Sequence, residues 1–201
     1  MSTYLGYDIF EPQVKKPHET TIANNYEVLG ELHNARETYN KAETNLNFQV
    51  IVYQDTHEDR IALKEFFIGK KGKLLPFWYV DPIPIGRVLE STATATLKIK
   101  DTSLLYRTLY TRLVLYDKNT GFITYVTNNE KAYSEELGKY EILTVAHTPT
   151  ESIAQDTLLY ALIFVRFDSD TLKFEAESYQ TSTSALVFKE LQAEVKEMLA
   201  I

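Results

Sequence analysis

Histidine and cysteine are the residue types that most often bind metals or carry out nucleophilic chemistry. The chain has four histidines, His18, His33, His57 and His147. None has a second histidine three or four residues away, the spacing that places two imidazoles on one helix face. The chain has no cysteine, which excludes thiolate metal sites, thiol nucleophiles and disulfide bonds. The sequence therefore predicts no metal site and no cofactor.

Other catalytic motifs are also missing. There is no Gly-x-Ser-x-Gly elbow around a nucleophilic serine. The glycine-containing stretch 69–73 lacks the spacing of a phosphate-binding loop and follows a predicted helix, whereas phosphates bind at helix starts. Paired carboxylates remain an alternative because the chain has 28 acidic residues, but scattered acids usually solvate a surface. We expect that the chain is not an enzyme, with a paired-carboxylate hydrolase as the third-ranked alternative.

Composition describes a globular, β-rich chain of 201 residues. Its 14 tyrosines and 10 phenylalanines favour strands and also suit subunit contacts. The net charge of −7 makes general binding to nucleic acid unfavourable. No apolar run approaches the roughly 20 residues of a membrane span, and the N-terminus does not resemble a secretory signal. We expect synthesis in a cytoplasm and no membrane anchor.

The strongest local pattern lies in residues 56–81. Thr56 is placed to cap a helix over residues 57–68, and apolar residues at i and i+4 give that helix one buried face. The lysines of residues 70–73 then form a solvated basic turn, and residues 74–80 form an aromatic strand. The next six residues, Asp-Pro-Ile-Pro-Ile-Gly, are rich in turn formers, so we predict a domain boundary after residue 86.

Alternation and turn spacing predict the remaining elements. Residues 1–20 have little periodicity and are expected to form an arm or an edge segment, whereas residues 46–52 alternate as a half-buried strand. Residues 158–165 are continuously apolar, which predicts a strand covered on both faces. We predict a mainly β fold: a β-sandwich-like domain of residues 1–86 and 156–201 with one packed helix, a small β-barrel inserted at residues 87–155, and a short C-terminal helix from Lys189 onward.

Two motif regions carry a resemblance to a known family. The first runs from the predicted helix into the aromatic strand and comprises Asp59, Arg60, Leu63, Phe66, Gly72, Lys73, Pro76, Phe77 and Trp78. The second lies near the end of the chain and comprises Val165, Arg166, Phe167, Ser169, Asp170, Leu172, Phe174, Phe188, Glu190 and Leu191. Together they resemble tail-tip structural proteins of long-tailed bacteriophages, of the distal-tail or minor-tail type. The resemblance spans residues 20–191 in order.

The resemblance implies a virion structural protein, made in the host cytoplasm, that forms a ring at the distal end of the phage tail tube. The implied partners are further copies of the chain, in a hexamer or a trimer, the tail tube protein, and the tail hub and fibre proteins. Genomic DNA would meet the ring only in transit through its lumen. We predict contacts with a neighbouring subunit or with the tube at Phe77, Trp78, Tyr79, Leu158, Tyr160, Leu162 and Phe164.

A carbohydrate-binding or adhesion module of β-barrel type is the alternative function. Small β-barrels with exposed aromatic side chains bind sugars, and the predicted insertion contains Tyr106, Tyr110, Tyr116 and Tyr125. This alternative requires those rings to be accessible at the surface.

Overall fold

The fold is described from a computed structural model of the chain. The described residues are 2–12, 21–23, 27–32, 35–39, 47–90, 96–101, 114–121, 123–125, 129–134, 140–146, 153–191, 194 and 198. The strands among them are β1 (Thr3–Tyr4), β2 (Tyr7–Phe10), β3 (Thr21–Ala23), β4 (Glu27–Leu32), β5 (Ala35–Tyr39), β6 (Asn47–Gln54), β7 (Phe77–Val88), β8 (Thr96–Asp101), β9 (Val114–Tyr116), β10 (Ile123–Tyr125), β11 (Asn129–Ser134), β12 (Tyr140–Ala146), β13 (Leu158–Phe167), β14 (Glu175–Ala176) and β15 (Ser182–Glu190). Helix α1 is His57–Gly69. The prediction of a mainly β fold with one packed helix is confirmed.

The chain divides into two compact units. The first unit is Met1–Trp78 together with Phe164–Ile201, and the second unit is Tyr79–Ile163. Both divisions fall inside long strands, β7 and β13, and not in loops. The predicted domain limits, residues 1–86 with 156–201 and residues 87–155, stay predictions.

The proline-rich stretch after Asp81 does not interrupt the chain as a turn. Strand β7 runs through Pro82 and Pro84 to Val88, so the turn-forming residues of this stretch do not end the strand. Proline has no backbone N–H, and successive amides of a strand point to alternate edges. Prolines two residues apart therefore remove hydrogen-bond donors from the same edge of the strand. The opposite edge keeps its donors, and pairing with β8 begins beyond the prolines, at Gly86.

The first unit contains an antiparallel sheet in the order β3, β6, β15 and the end of β13. On β6, Val50, Val52 and Gln54 are buried, whereas Gln49 and Ile51 are exposed. The same alternation continues on β15, because strand side chains point to opposite faces with a period of two. The predicted strand over residues 46–52 is confirmed as β6.

Helix α1 begins as the sequence predicts. The Asp59 amide donates to the Thr56 hydroxyl oxygen (3.1 Å), and the Thr56 amide donates to the Asp59 carboxylate (3.0 Å), which forms a capping box. Leu63 and Phe66 are buried. Ala62, which the spacing placed on the apolar face, is exposed, because the buried stripe follows Leu63 and Phe66.

Residues 2–12 of the segment that was predicted to be an arm or an edge segment contain a hairpin. Strands β1 and β2 pair around Leu5 and Gly6, which both have positive φ (48° and 82°). A turn with two consecutive left-handed residues matches the twist of a tight hairpin. The Phe10 ring of β2 then stacks on the Phe66 ring of α1, with centroids 4.7 Å apart.

An aromatic cluster forms the centre of the first unit. The Phe77 ring, at the start of β7, is fully buried. Its neighbours lie 5.0 to 5.9 Å away between ring centroids and are Phe10, Phe66, Phe167 and Phe188. These distances are typical of favourable edge-to-face and tilted aromatic pairs. The cluster therefore joins β2, α1, β7, β13 and β15.

Residues 74–80 were predicted as one strand, but β7 begins at Phe77. Leu74 and Leu75 lie in the preceding turn and are exposed. At the end of the chain, β15 continues to Glu190, so Lys189 lies in a strand and not in the predicted C-terminal helix. Beyond Leu191 that predicted helix lies almost wholly outside the described residues.

The second unit contains two groups of antiparallel strands. Strands β11, β12, β8 and β7 follow one another in hydrogen-bonded order, and β9 pairs with both β10 and β13. Asp117 is buried in the turn between β9 and β10, where its carboxylate accepts from the Asn119 amide (2.9 Å) and the Thr120 hydroxyl (2.6 Å). The Asp-Lys-Asn-Thr-Gly turn is thus built as its residue types predict.

Trp78→Ala tests the packing of the first unit. The indole is fully buried, donates from Nε1 to the Tyr4 carbonyl (3.0 Å) and contacts the Phe164 ring at 4.9 Å. We expect the free energy of unfolding to fall by about 3 to 5 kcal/mol, the cost of a large core deletion. Urea unfolding followed by far-UV circular dichroism measures this. Trp78→Phe keeps a ring and should cost less; equal losses for the two variants would contradict the cavity explanation.

Candidate functional site

The turn between α1 and β7 is fixed by several backbone hydrogen bonds and contains two consecutive residues with positive φ. We call residues 70–75 the basic turn. Lys71 and Gly72 both have positive φ (54° and 59°), and the Leu75 amide closes the turn by donating to the Lys70 carbonyl (3.0 Å). The Gly72 amide also donates to the Phe67 carbonyl (3.3 Å), which pairs one of the last carbonyls of α1.

Asp170, from a distant part of the sequence, accepts a hydrogen bond from the backbone of the basic turn. The Lys73 amide donates to Asp170 Oδ1 (3.1 Å), and the two residues are 97 positions apart in sequence. A Cβ atom added to Gly72 would lie 2.6 Å from the same Asp170 oxygen. The left-handed backbone and the close approach of the carboxylate therefore both favour glycine at position 72. This contact joins the two motif regions singled out in the sequence.

Lys70 differs from its prediction. The residue is 8% exposed, its ammonium lies 2.6 Å from Asp8 Oδ2, and it sits over the Phe66 ring at 5.4 Å. The prediction of a wholly solvated basic turn is therefore wrong at this position. The available signal was spacing: Lys70 lies four residues after Phe66 and seven after Leu63, on the buried stripe of α1. Its partner Asp8 has no comparable signal in the sequence.

The rest of the basic turn presents a mixed apolar and basic surface. Lys71 and Lys73 are exposed, and Leu74 is 72% exposed. Ile68, in the last turn of α1, is 61% exposed. A fixed backbone that displays large apolar side chains beside cations is typical of an interaction site.

A polar network holds the other end of α1. Arg60 Nε donates to the Ser182 hydroxyl oxygen (3.1 Å), and that hydroxyl donates to Gln54 Oε1 (2.9 Å). Gln54 and Ser182 are buried and face each other in the β6–β15 pairing. Because buried polar groups need partners, this network fixes the start of α1 on the sheet.

A short hairpin turn lies directly next to that network. We call residues 177–181, between β14 and β15, the hairpin tip. The Ser178 hydroxyl oxygen accepts from the amides of Gln180 (3.3 Å) and Thr181 (3.0 Å), and the Ser178 amide donates to the Thr181 carbonyl (3.2 Å). Tyr179 is 99% exposed at the apex. The structure thus presents an aromatic side chain on a backbone with many hydrogen bonds.

The predicted contact residues divide by burial. The buried members are Phe77, Trp78, Tyr79, Leu162 and Phe164. Leu158 is exposed and Tyr160 is half-buried, with the Lys118 ammonium 4.2 Å from its ring centroid. Contact with a subunit or with the tube stays a prediction for all seven residues.

One of the four tyrosines of the carbohydrate-binding alternative has a described side chain. Tyr116 is buried in β9 and offers no surface to a sugar. Tyr106 and Tyr110 lie outside the described residues, and Tyr125 is described only as part of β10. The carbohydrate-binding alternative stays a prediction for these three residues.

Within the described ranges, no group of three or more histidine, aspartate or glutamate side chains is arranged to hold a metal ion. The described helix α1 is too short and too polar to cross a membrane.

A scan against protein-family models finds none that fits the chain, and a search of curated proteins finds no relative.

Gly72→Ala tests the close approach in the basic turn. The new Cβ would meet the Asp170 carboxylate on a left-handed backbone, so we expect the free energy of unfolding to fall by more than about 1 kcal/mol. Gly6→Ala is the matched control, because Gly6 also has positive φ but nothing lies within 4 Å of its Cβ position. Equal destabilisation in urea unfolding would mean that Asp170 does not restrict the turn.

Lys70 and Asp8 are expected to respond asymmetrically to truncation. The Lys70 side chain is 10% exposed, whereas that of Asp8 is 40% exposed. Asp8→Ala leaves a buried ammonium without its carboxylate and should cost about 1 to 3 kcal/mol. Lys70→Met leaves a carboxylate that water already reaches and keeps apolar packing on Phe66, so it should cost less. Thermal and urea unfolding measure both; a larger loss for Lys70→Met would contradict this account.

Proposed function

We propose that this chain is a structural protein of the tip of a long-tailed phage, forming a ring at the distal end of the tail tube. In this proposal the first unit belongs to a β-sandwich-like ring domain. The residues between the two halves of that domain form a small inserted β-barrel. The ring joins the tube to the hub and to the fibres that recognise the host. Its role is mechanical and not enzymatic.

The contact between Asp170 and the Gly72–Lys73 backbone is the observation that carries the proposal. The two motif regions that resemble tail-tip proteins lie far apart in sequence, yet the carboxylate of one caps the turn of the other. The aromatic residues of both regions also pack together, since the Phe77 ring lies 5.0 Å from that of Phe167 and 5.7 Å from that of Phe188. The two motif regions are therefore in direct contact, as expected if both belong to the same domain.

Burial of the motif residues further favours a structural role. Phe77, Trp78, Phe167 and Phe188 are buried in the core of the first unit, where their rings pack with other side chains. A tail-tip protein needs a rigid body with interaction surfaces on its outside, and the basic turn and the hairpin tip are surfaces of that kind.

Locating the chain in virions tests the proposal. Antibodies raised against the purified chain, used in immunogold electron microscopy of released particles, should label the end of the tail distal to the head. Particles from a strain with the gene deleted serve as the control and should lack both label and infectivity. Unlabelled tails, or fully infectious particles from the deletion strain, would contradict the proposed function. Specific binding of the monomer to sugars on a glycan array would favour the carbohydrate-binding alternative instead.

A further inference from the structure

We propose that Arg166 and Lys189 together bind a doubly charged oxyanion, of the phosphate or dicarboxylate class, on the outer face of the first-unit sheet. We call these two residues the cation pair. The outer face carries the side chains of β6 and β15 that point away from the aromatic cluster. This site goes beyond the proposed function, because it requires neither a ring nor a tail.

Strand pairing places the two cations side by side. Arg166 of β13 and Lys189 of β15 occupy directly opposite positions in an antiparallel ladder. Side chains at opposite positions of such a ladder point to the same face, with Cβ atoms about 4.5 to 5.5 Å apart. The next pair in the ladder, Phe167 and Phe188, points to the other face and into the aromatic cluster. The cation pair therefore faces away from the core.

Neither cation has a counter-charge within the fold. The two side chains form no hydrogen bond and no ion pair in the part of the chain that the structure describes. Both residues are half-buried, so water screens their charges less than it screens those of fully exposed lysines. Like charges directly opposite each other destabilise a sheet. In a chain with 28 acidic residues, such an unrelieved cost points to a counter-charge that comes from another molecule.

Neighbouring carboxylates do not neutralise the pair. Asp168 follows Arg166 by two residues, but it is exposed and forms no ion pair with either cation. Glu190 lies on the opposite face of β15, where it is buried. Glu175 joins the outer face at the other end of β15, about 20 Å from the pair. Even with Asp168 counted as a full negative charge, this end of the face keeps an excess of positive charge.

The positions beside the pair on the outer face are uncharged. Val187 precedes Lys189 by two residues on β15 and is opposite Gln49 of β6. The next pair on the same face consists of Ala185 and Ile51. An apolar and amide surface beside two cations limits the access of water from that side. Hydrogen bonds from the cations to a bound anion are stronger in such a setting.

Arginine and lysine together match the chemistry of a doubly charged oxyanion. The Arg166 guanidinium is a planar set of donors that fits two oxygens of one phosphate or carboxylate group. The Lys189 ammonium is a compact charge that can donate to a further oxygen of the same ligand. Chloride carries a single charge and no second oxygen, so it cannot bridge the two cations in this way. The site should therefore prefer doubly charged oxyanions to halide ions.

Anion-dependent stability of the full-length chain tests the site. The melting temperature, followed by circular dichroism, is measured against sodium phosphate, sodium succinate and sodium chloride at matched ionic strength. Chloride reports the effect of ionic strength, while phosphate and succinate distinguish the two ligand classes. We expect phosphate, succinate or both to raise the melting temperature in a saturable way, as a ligand of the folded state does. Equal responses to all three salts would overturn the proposal.

Two single variants assign the response to the cation pair. Arg166→Gln and Lys189→Gln each remove one charge-assisted contact, so the apparent dissociation constant should rise about tenfold or more. The control is Lys71→Asn with Lys73→Gln, which removes two exposed cations elsewhere and should respond like the parent. Asparagine is chosen because it tolerates the left-handed backbone at position 71. A general stabilising effect of phosphate salts would be equal in all variants and would contradict the site.

Stability without the anion distinguishes a binding role from a structural one. In dilute chloride buffer, Arg166→Gln and Lys189→Gln should melt at the temperature of the parent or above it, because each removes the repulsion between like charges. A fall of several degrees in either variant would show that the cation stabilises the fold through contacts within the chain, and would exclude the proposal. The immunogold result does not depend on this site, so failure of the site and failure of the proposed function are separately visible.

Discussion

Packing around the Phe77 ring is the constraint on which the first unit depends. Four rings from four other elements meet it, and residues 10 and 188 lie at nearly opposite ends of the chain. Aromatic rings of this size contribute large buried areas, and their edge-to-face geometry restricts how the elements can be oriented. This aromatic cluster therefore positions the strands and the helix. The loops that connect these elements consequently begin and end at fixed places.

The two ends of α1 show how this packing reaches the surface. Leu63 and Phe66 hold the middle of the helix on the core, the Arg60–Ser182 bond holds its start, and the Lys70–Asp8 pair holds its end. Polar contacts at partly buried positions add direction to the non-directional attraction of apolar packing. The basic turn and the hairpin tip are consequently held in place by the elements next to them, although both consist of loop residues.

Local patterns in the sequence predicted the local features of this fold. The N-cap at Thr56 and the alternation in β6 depend on neighbours within a few residues, so the residue pattern alone revealed them. The N-terminal hairpin was missed because its burial depends on Phe66 and Lys70, more than fifty positions away. The sequence predicts only one of the two reasons for glycine at position 72. A positive φ is expected after a helix, but the approach of the Asp170 carboxylate is not, because Asp170 is 97 residues from Lys73, from whose amide it accepts a hydrogen bond. The prolines of β7 were predicted to be turn formers for a related reason, because local spacing does not show which edge of a strand their missing amides would face. A strand tolerates prolines when the missing hydrogen-bond donors all lie along one edge.

The two ends of α1 show how local hydrogen bonds and core packing divide the work of placing a helix. The start of the helix has unpaired backbone amides, and the capping box of Thr56 and Asp59 satisfies one of them. The end of the helix has unpaired carbonyls, and the amides of residues 70–72 donate to three of them. Local hydrogen bonds thus fix where the helix begins and ends, whereas burial of Leu63 and Phe66 fixes which face it turns to the core.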